Sequence, residues 1–482
     1  MAEAAVVVLG DIGRSPRMCN HAKMLADEGF DVKIIGFDDS RPGKEITDNQ
    51  NIKIIGIPAP PDMEWVPAFI QLPFKLVWNF VTLTFAFLFQ CTGFNLRIIL
   101  MQNPPALPTM IVCFLMSKIK CATFSIDWHN YMYSILQDKY NLTDDELIEA
   151  NSMKAKIVRC VSWLEGLCGK LADYNICVTE AMREDLVERW GVKASTFYDR
   201  PPTWKFKGIK LTDIHDVYSR LSEGPNGKIL LGDTPDSTIL TRRLANGMVT
   251  LQPNRPIVLL SSTSWTPDEK FEILLDALVE YDKLEDLPRI LMIITGKGPL
   301  KAAYIEEIKR VNLKNVDVLT PWLHAEDYPK ILWSADLGIS LHTSTSGVDL
   351  PMKVVDMFGS RVPVLAKRFK CIGELVKENH NGYLFDDSAE LTRQICQLSR
   401  GFPDSSNELD RLARNAFLRF ESWEEMWKRC AVPGAHLYLP ESSKPMRRAH
   451  SQLVIFVAVV LLAQQIYIGS FSALYLVIKS YL

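Results

Sequence analysis

Residues 6–37 read VVVLGDIGRSPRMCNHAKMLADEGFDVKIIGF. Val6–Leu9 is an apolar run of strand length, Gly10 and Gly13 supply a turn, and Met18, Ala22 and Leu25 recur at helical spacing before Val32–Ile35 turns apolar again. This is a strand–helix–strand opening. Working outward, Ile52–Ile57, Arg97–Met101, Thr123–Asp127 and Asn175–Thr179 are further strand candidates with helical material between them. Such alternation predicts a doubly wound parallel sheet over residues 1–200.

From 201 to 254 the periodicity gives way to Pro201-Pro202, Gly224-Pro225-Asn226-Gly227 and Pro253, which predicts a linker or surface excursion. Alternation resumes at Ile257–Ser261. A helix over Phe271–Lys283, a strand over Arg289–Thr295, a helix over Leu300–Val311 and strands over Val316–Leu319 and Leu337–Leu341 predict a second parallel sheet within 255–430. Leu409–Cys430, with Trp423 and Trp427 four apart, reads as a closing amphipathic helix. The expected fold class is therefore α/β, with two Rossmann-like domains whose sheets face a cleft at the carboxyl ends of their strands.

Across 482 residues the net charge is −3, so no global basic field recruits nucleic acid, and nucleic acid is not an expected partner. The ten cysteines are scattered without CxxC spacing and read as thiols of a reducing compartment. No signal-peptide core precedes Gly10, so the sequon at Asn141-Leu142-Thr143 is expected to go unused. The aromatic-rich segment 66–91, interrupted by Pro67, Pro73 and Lys75, reads as a helix lying in a membrane interface, with a buried core helix as the alternative. Leu453–Ile478 is uncharged, long enough to span a bilayer, and flanked by Arg447-Arg448, which predicts a transmembrane helix with the rest of the chain cytosolic.

Four polar clusters follow predicted strands. Gly10, Gly13 and Arg14 occupy a βα turn, where backbone amides can meet a ligand or the turn can simply be tight. Ser262 and Ser264 lie in SSTSWT, where phosphate contact and helix capping are both open. The third cluster is Ser344–Gly359. Asp349 can cap a helix there, with Lys353 and Asp356 on one face near its start. A cation with free amides suits a diphosphate, and a carboxylate suits ribose hydroxyls. Asp127 and His129, in SIDWHNY, are candidates to take a proton from an acceptor hydroxyl.

The motifs GDIGRSPRM (Gly10–Met18), DWHNY (Asp127–Tyr131), SSTSWT (Ser261–Thr266), TGKGP (Thr295–Pro299), SGVDLPMKVVDMFG (Ser346–Gly359) and HNGYLF (His380–Phe385) resemble, as a set, the dolichol-pathway β-1,4-mannosyltransferases of glycosyltransferase family 33, which are of GT-B type. The resemblance runs to about Cys430. It implies inverting transfer of mannose from GDP-mannose to dolichyl-diphosphate-chitobiose, at the cytosolic face of the endoplasmic reticulum membrane. Other dolichol-pathway mannosyltransferases are implied as partners. It also implies His129 or Asp127 as the base, with Lys353 and the amides of Ser346 and Gly347 at the diphosphate. Asp356 takes the place of the wider class's ribose-binding glutamate, Gly296 and Gly298 lie near the nucleotide, and Gly10–Arg14 line the opposite wall. No metal or other cofactor is required, with stimulation by a divalent cation left open.

The chain departs from the family pattern in two ways. Its acids Asp349 and Asp356 are seven apart where the wider class has two glutamates eight apart, and Leu453–Ile478 is expected to replace the family's usual N-terminal anchor. Two alternatives remain: a GT-B enzyme with another donor or lipid acceptor, and a catalytically silent membrane-anchored scaffold of the same pathway.

Overall fold

The computed structural model describes residues 2–63, 68–91, 95–149, 151–206, 208–224, 226–266, 269–344, 346–403, 407–418 and 421–431. The expected span Leu453–Ile478 lies outside the described residues. The described residues fall into two compact units, one comprising those up to Cys177, those of Arg183–Thr196 and those from Arg429 to 431, the other those of Val178–Met182 and Phe197–Lys428.

To residue 196 the chain runs β1 (Glu3–Asp11), α1 (Pro16–Asp27), β2 (Asp31–Phe37), α2 (Lys44–Thr47), β3 (Ile52–Gly56), α3 (Ala68–Phe89), β4 (Leu96–Asn103), α4 (Thr109–Lys120), β5 (Thr123–Trp128), α5 (Met132–Lys139), α6 (Asp144–Glu149), α7 (Met153–Leu171), β6 (Tyr174–Cys177), α8 (Glu180–Trp190) and β7 (Ser195–Thr196). These strands form one parallel sheet in the order β3-β2-β1-β4-β5-β6-β7. The chain winds outward from β1 to β3, then returns beside β1 and winds outward the other way. Because crossovers between parallel strands are right-handed, α1 and α2 cover one face and α3, α4 and α7 the other. The winding reverses between β1 and β4, where open α/β sheets bind ligands.

The second unit continues with α9 (Thr203–Phe206), α10 (Leu211–Ser222), β8 (Thr241–Arg243), β9 (Val249–Leu251), β10 (Ile257–Ser262), α11 (Phe271–Asp282), β11 (Ile290–Thr295), α12 (Lys301–Val311), β12 (Val316–Leu319), α13 (Tyr328–Ser334), β13 (Leu337–Ser340), α14 (Met352–Gly359), β14 (Val364–Lys367), β15 (Gly382–Phe385), α15 (Ser388–Ser399), α16 (Asn407–Leu418) and α17 (Trp423–Met426). Its sheet is parallel, in the order β12-β11-β10-β13-β14-β15. Val258 and Leu260 enter one apolar cluster and Ile257 and Leu259 the other. Alternate side chains of a strand point to opposite faces, so the continuous apolar run reports a sheet covered on both sides.

Two expectations need correction. The stretch 201–254 is not a bare linker. Within it Ile214, Val217 and Tyr218 of α10 are buried and join Leu230 and Leu240 in the second unit's core. Leu211, Ile214, Tyr218 and Leu221 keep helical spacing that the flanking Pro and Gly residues obscure. The closing helix is also two helices, because Ser422 starts α17 with a capping box to Glu425. That new start lets Trp423 and Trp427 bury against Phe197.

Candidate active site

In the first unit the chemistry gathers where β5 ends. The Asp127 carboxylate is 0% exposed, and three basic side chains meet it. Arg17 donates from Nε to Oδ2 at 2.8 Å and from Nη2 to Oδ1 at 2.9 Å. His21 Nε2 lies 3.2 Å and His129 Nε2 2.9 Å from Oδ2. Arg17 and His21 are four apart on α1, so one buried helix face delivers both. The sequence reading missed them; the signal was an Arg and a His at helical spacing on the apolar side of an amphipathic helix. Burial opposes the charge on Asp127, but Arg17 and the histidines outweigh it and hold the carboxyl well below the usual carboxylate range. Burial pushes His21 down. His129 keeps 22% of its side chain exposed, so it is the member of this cluster that solvent reaches. Its Nε2 is engaged by Asp127, which leaves Nδ1 as the ring nitrogen turned away from that carboxylate.

A second buried pair fixes the backbone that carries His129. Asn103, at the end of β4, accepts at its carbonyl from His129 N at 2.9 Å, and its side-chain Nδ2 donates to Asn130 O and to Glu165 Oε1, each at 3.0 Å. Glu165, from α7, also accepts from the amides of Met132 and Tyr133 at 2.8 and 3.0 Å, satisfying orphan donors at the start of α5. Burial pushes Glu165 up to about 7 despite those bonds.

Around the β1 turn, Gly13 is sterically required, because a Cβ there would lie 2.3 Å from Ser40 O. Gly10 is half-buried at the strand end and Arg14 is 83% exposed, 3.3 Å from Asp11. Asp11, which the sequence reading did not single out, accepts from Gly13 N and Ser40 N at 3.2 and 3.0 Å and from Ser40 Oγ. These bonds tie the turn shut.

In the second unit a cavity of about 290 Å³ opens at the carboxyl ends of β10 and β11, lined by Ser262, Thr295, Gly296, Trp322, Tyr328 and Lys353 among others. Gly296 has φ +121, and a Cβ there or at Gly298 would meet the Thr263 or Ser264 carbonyl at 1.8 Å. The two loops therefore approach closely only because both positions are glycine. Lys353 Nζ donates to Glu269 Oε1 at 2.9 Å and Ser264 Oγ at 3.3 Å. Glu269 also accepts from Ser264 N at 2.6 Å and from Thr263 Oγ1. It is a buried residue that the sequence reading passed over, lying outside every motif quoted.

Asp349 does not cap α14. Pro351 stands at the cap position, and the Asp349 carboxylate accepts instead from Ser344 and Ser346, with His342 Nε2 3.6 Å away. Those bonds fold a separate turn, in which the Gly347 amide donates to Ser344 Oγ at 2.8 Å. Asp356 and Lys353 also diverge, Asp356 pairing with Lys205 at 3.0 Å. Of the expected donor residues, the structure brings Ser262, Gly296 and Lys353 to the cavity wall, and Ser264 Oγ lies 3.3 Å from Lys353 Nζ. Among the described residues no group of three or more His, Cys, Asp or Glu is placed to hold a metal ion.

Known proteins resemble this chain in sequence and fold. Residues 255–400 match the family described as "Glycosyl transferases group 1". The fold is similar to Anabaena Alr3699/HepE in complex with UDP and glucose, with TM-score 0.59 and 16% identity over 90% of this chain and 99% of that one. The chain is 39% identical over 460 residues to the Arabidopsis thaliana protein named UDP-glycosyltransferase TURAN, covering 89% of this chain and 96% of that one. It is 40% identical over 444 residues to the Homo sapiens chitobiosyldiphosphodolichol beta-mannosyltransferase, covering 89% of this chain and 91% of that one. On those relatives and that fold, the chain is a glycosyltransferase of GT-B type and belongs to the chitobiosyldiphosphodolichol beta-mannosyltransferase family.

Proposed function

We propose that the chain transfers mannose from GDP-mannose to dolichyl-diphosphate-chitobiose, with inversion to a β-1,4 linkage, at the cytosolic face of the endoplasmic reticulum membrane. The observation that carries the chemistry is the 2.9 Å contact between His129 Nε2 and the buried Asp127 carboxylate. A single displacement needs one base on the acceptor, and a histidine oriented by an ionised aspartate leaves its other nitrogen to serve. His129 Nδ1 takes the proton of the acceptor 4-hydroxyl as that oxygen bonds to the anomeric carbon. The bond from that carbon to the β-phosphate oxygen breaks, and GDP departs with the electron pair. Asp127 stays ionised and stabilises the imidazolium. Lys353, on the cavity wall, meets the charge that develops on the diphosphate, the role a divalent ion fills elsewhere.

A relative whose name specifies a UDP donor favours a second reading, in which the same cavity takes a UDP-sugar. Transfer to a phytanyl-diphosphate-chitobiose acceptor distinguishes the two. Radiolabelled GDP-mannose, with UDP-glucose as competitor and with or without EDTA, is expected to yield a β-mannosidase-sensitive product that neither UDP-glucose nor EDTA suppresses. Transfer of glucose in its place would support the second reading, and loss of product in EDTA would refute lysine-only stabilisation.

A further inference from the structure

α3, α4 and α7 all lie on one face of the first sheet, with α3 packed on α4 and α4 on α7. Each turns an apolar stripe outward. On α3, Val77, Val81, Phe85 and Leu88 recur at helical spacing and are exposed, Phe85 by 56%. Residues 71–89 are also, among those described, the one helix long and apolar enough by length and composition to cross a membrane. On α4, Leu115 is exposed and Ile111 and Ile119, one turn to either side, are half-buried. On α7, Trp163, Leu167 and Leu171 line up four apart and are exposed, Trp163 by 62%. A soluble monomer seldom presents large apolar side chains on three adjacent helices.

Charge distinguishes among occupants. Lys118, Lys154, Lys156 and Lys170 are exposed on α4 and α7, with Lys75 and Lys120 half-buried. The only acid in the three helices is Glu165, which is buried and already committed to the start of α5. Asp173, just past α7, lies 4.0 Å from Lys118. Apolar stripes with lysines beside them match a bilayer bearing anionic headgroups: stems and rings enter the acyl boundary while ammonium groups reach the phosphates.

We infer that the composite face of α3, α4 and α7 docks flat on an anionic lipid bilayer, with α7 as a second contact alongside α3. The inference holds whichever sugar is transferred, and its test reads no activity.

Cys160 is exposed on the outward stripe of α7 and reports the face directly. The full-length chain, with Cys121 and Cys430 replaced by serine, is labelled there with an NBD fluorophore and reconstituted into phosphatidylcholine vesicles with or without phosphatidylserine. Blue-shifted emission quenched by acyl-chain nitroxides is expected in the anionic vesicles. The quenched fraction should fall roughly tenfold in Lys156→Glu/Lys170→Glu, where each reversal removes an attraction and adds a repulsion. Trp163→Glu, at a site 62% exposed, should act likewise. Water-like emission from vesicle-bound protein overturns the inference. So does a shift that is equal in neutral vesicles and insensitive to the lysine reversals, or one that appears without lipid and grows with protein concentration, which would mean that a second copy covers the face.

Discussion

Lys353 Nζ sits 2.9 Å from Glu269 Oε1, and Glu269 in turn holds the amide of Ser264 at 2.6 Å. One buried carboxylate thus fixes both the lysine charge on the cavity wall and the loop that follows β10. Lys353 lines the cavity and Glu269 does not, so the acid acts by positioning the lysine.

Replacing the two residues therefore has different consequences. Lys353→Ala should lower kcat by about 10²–10³-fold, the range for removing one donor aimed at developing charge. Glu269→Gln should keep the cation but lose its fixed geometry, raising KM for the donor more than it lowers kcat and destabilising the fold by about 1–3 kcal/mol through the bonds that an amide cannot accept. Steady-state kinetics with denaturant titration checks both. Equal kcat losses in the two variants would contradict this division of roles.

Asp127 and His129 separate in the same way. His129→Ala should cost about 10²–10⁴-fold in kcat with little change in stability. Asp127→Asn leaves Arg17 buried beside an amide, and should lower stability by about 3–5 kcal/mol besides reducing activity. The folded pKa of Asp127 is depressed, so its contribution is present above the ordinary carboxylate value of 3.8 and is lost as pH falls through the folded value. Acid unfolding of Asp127→Asn should therefore be shallower than that of the unmodified protein. Parallel acid limbs would show that folding does not lower the Asp127 pKa.

Glu165 carries the opposite sign. Burial raises it from 4.5 to about 7, so its contribution is fully present below pH 4.5 and disappears as pH rises through 7. A shift of that size sets an upper bound of about 3 kcal/mol. Glu165→Gln cannot ionise, so the stability difference between unmodified protein and variant should shrink between pH 5 and 8, as chemical denaturation at each pH would measure. A difference that stays constant would place the proton elsewhere.

Much of this was legible in the order of the residues. Apolar runs such as Val6–Leu9 and Ile257–Ser261 are strands because a sheet covered on both faces buries every side chain, and that pattern survives in one dimension. The motif residues lie at strand ends for the same reason, since parallel strands expose their carboxyl ends at the switch point. The strands Val364–Lys367 and Gly382–Phe385 were not singled out, although Val316–Leu319 of the same length was. Helix α10 escaped because glycine and proline flank it on both sides.

The sequence by itself determined the class of the fold, the places where polar clusters would lie along it, and the apolar character of 71–89. Only the tertiary structure decided which side chains meet. Arg17 and His21 reach Asp127, 110 residues away from Arg17, because α1 packs across a sheet whose neighbouring strands are far apart in the chain. Lys353 reaches Glu269, 84 residues away, and Pro351 rather than Asp349 stands at the cap of α14. A buried charge takes whatever partner the packing brings within about 3 Å, and that choice is made by distances in space, which a linear order of residues does not contain.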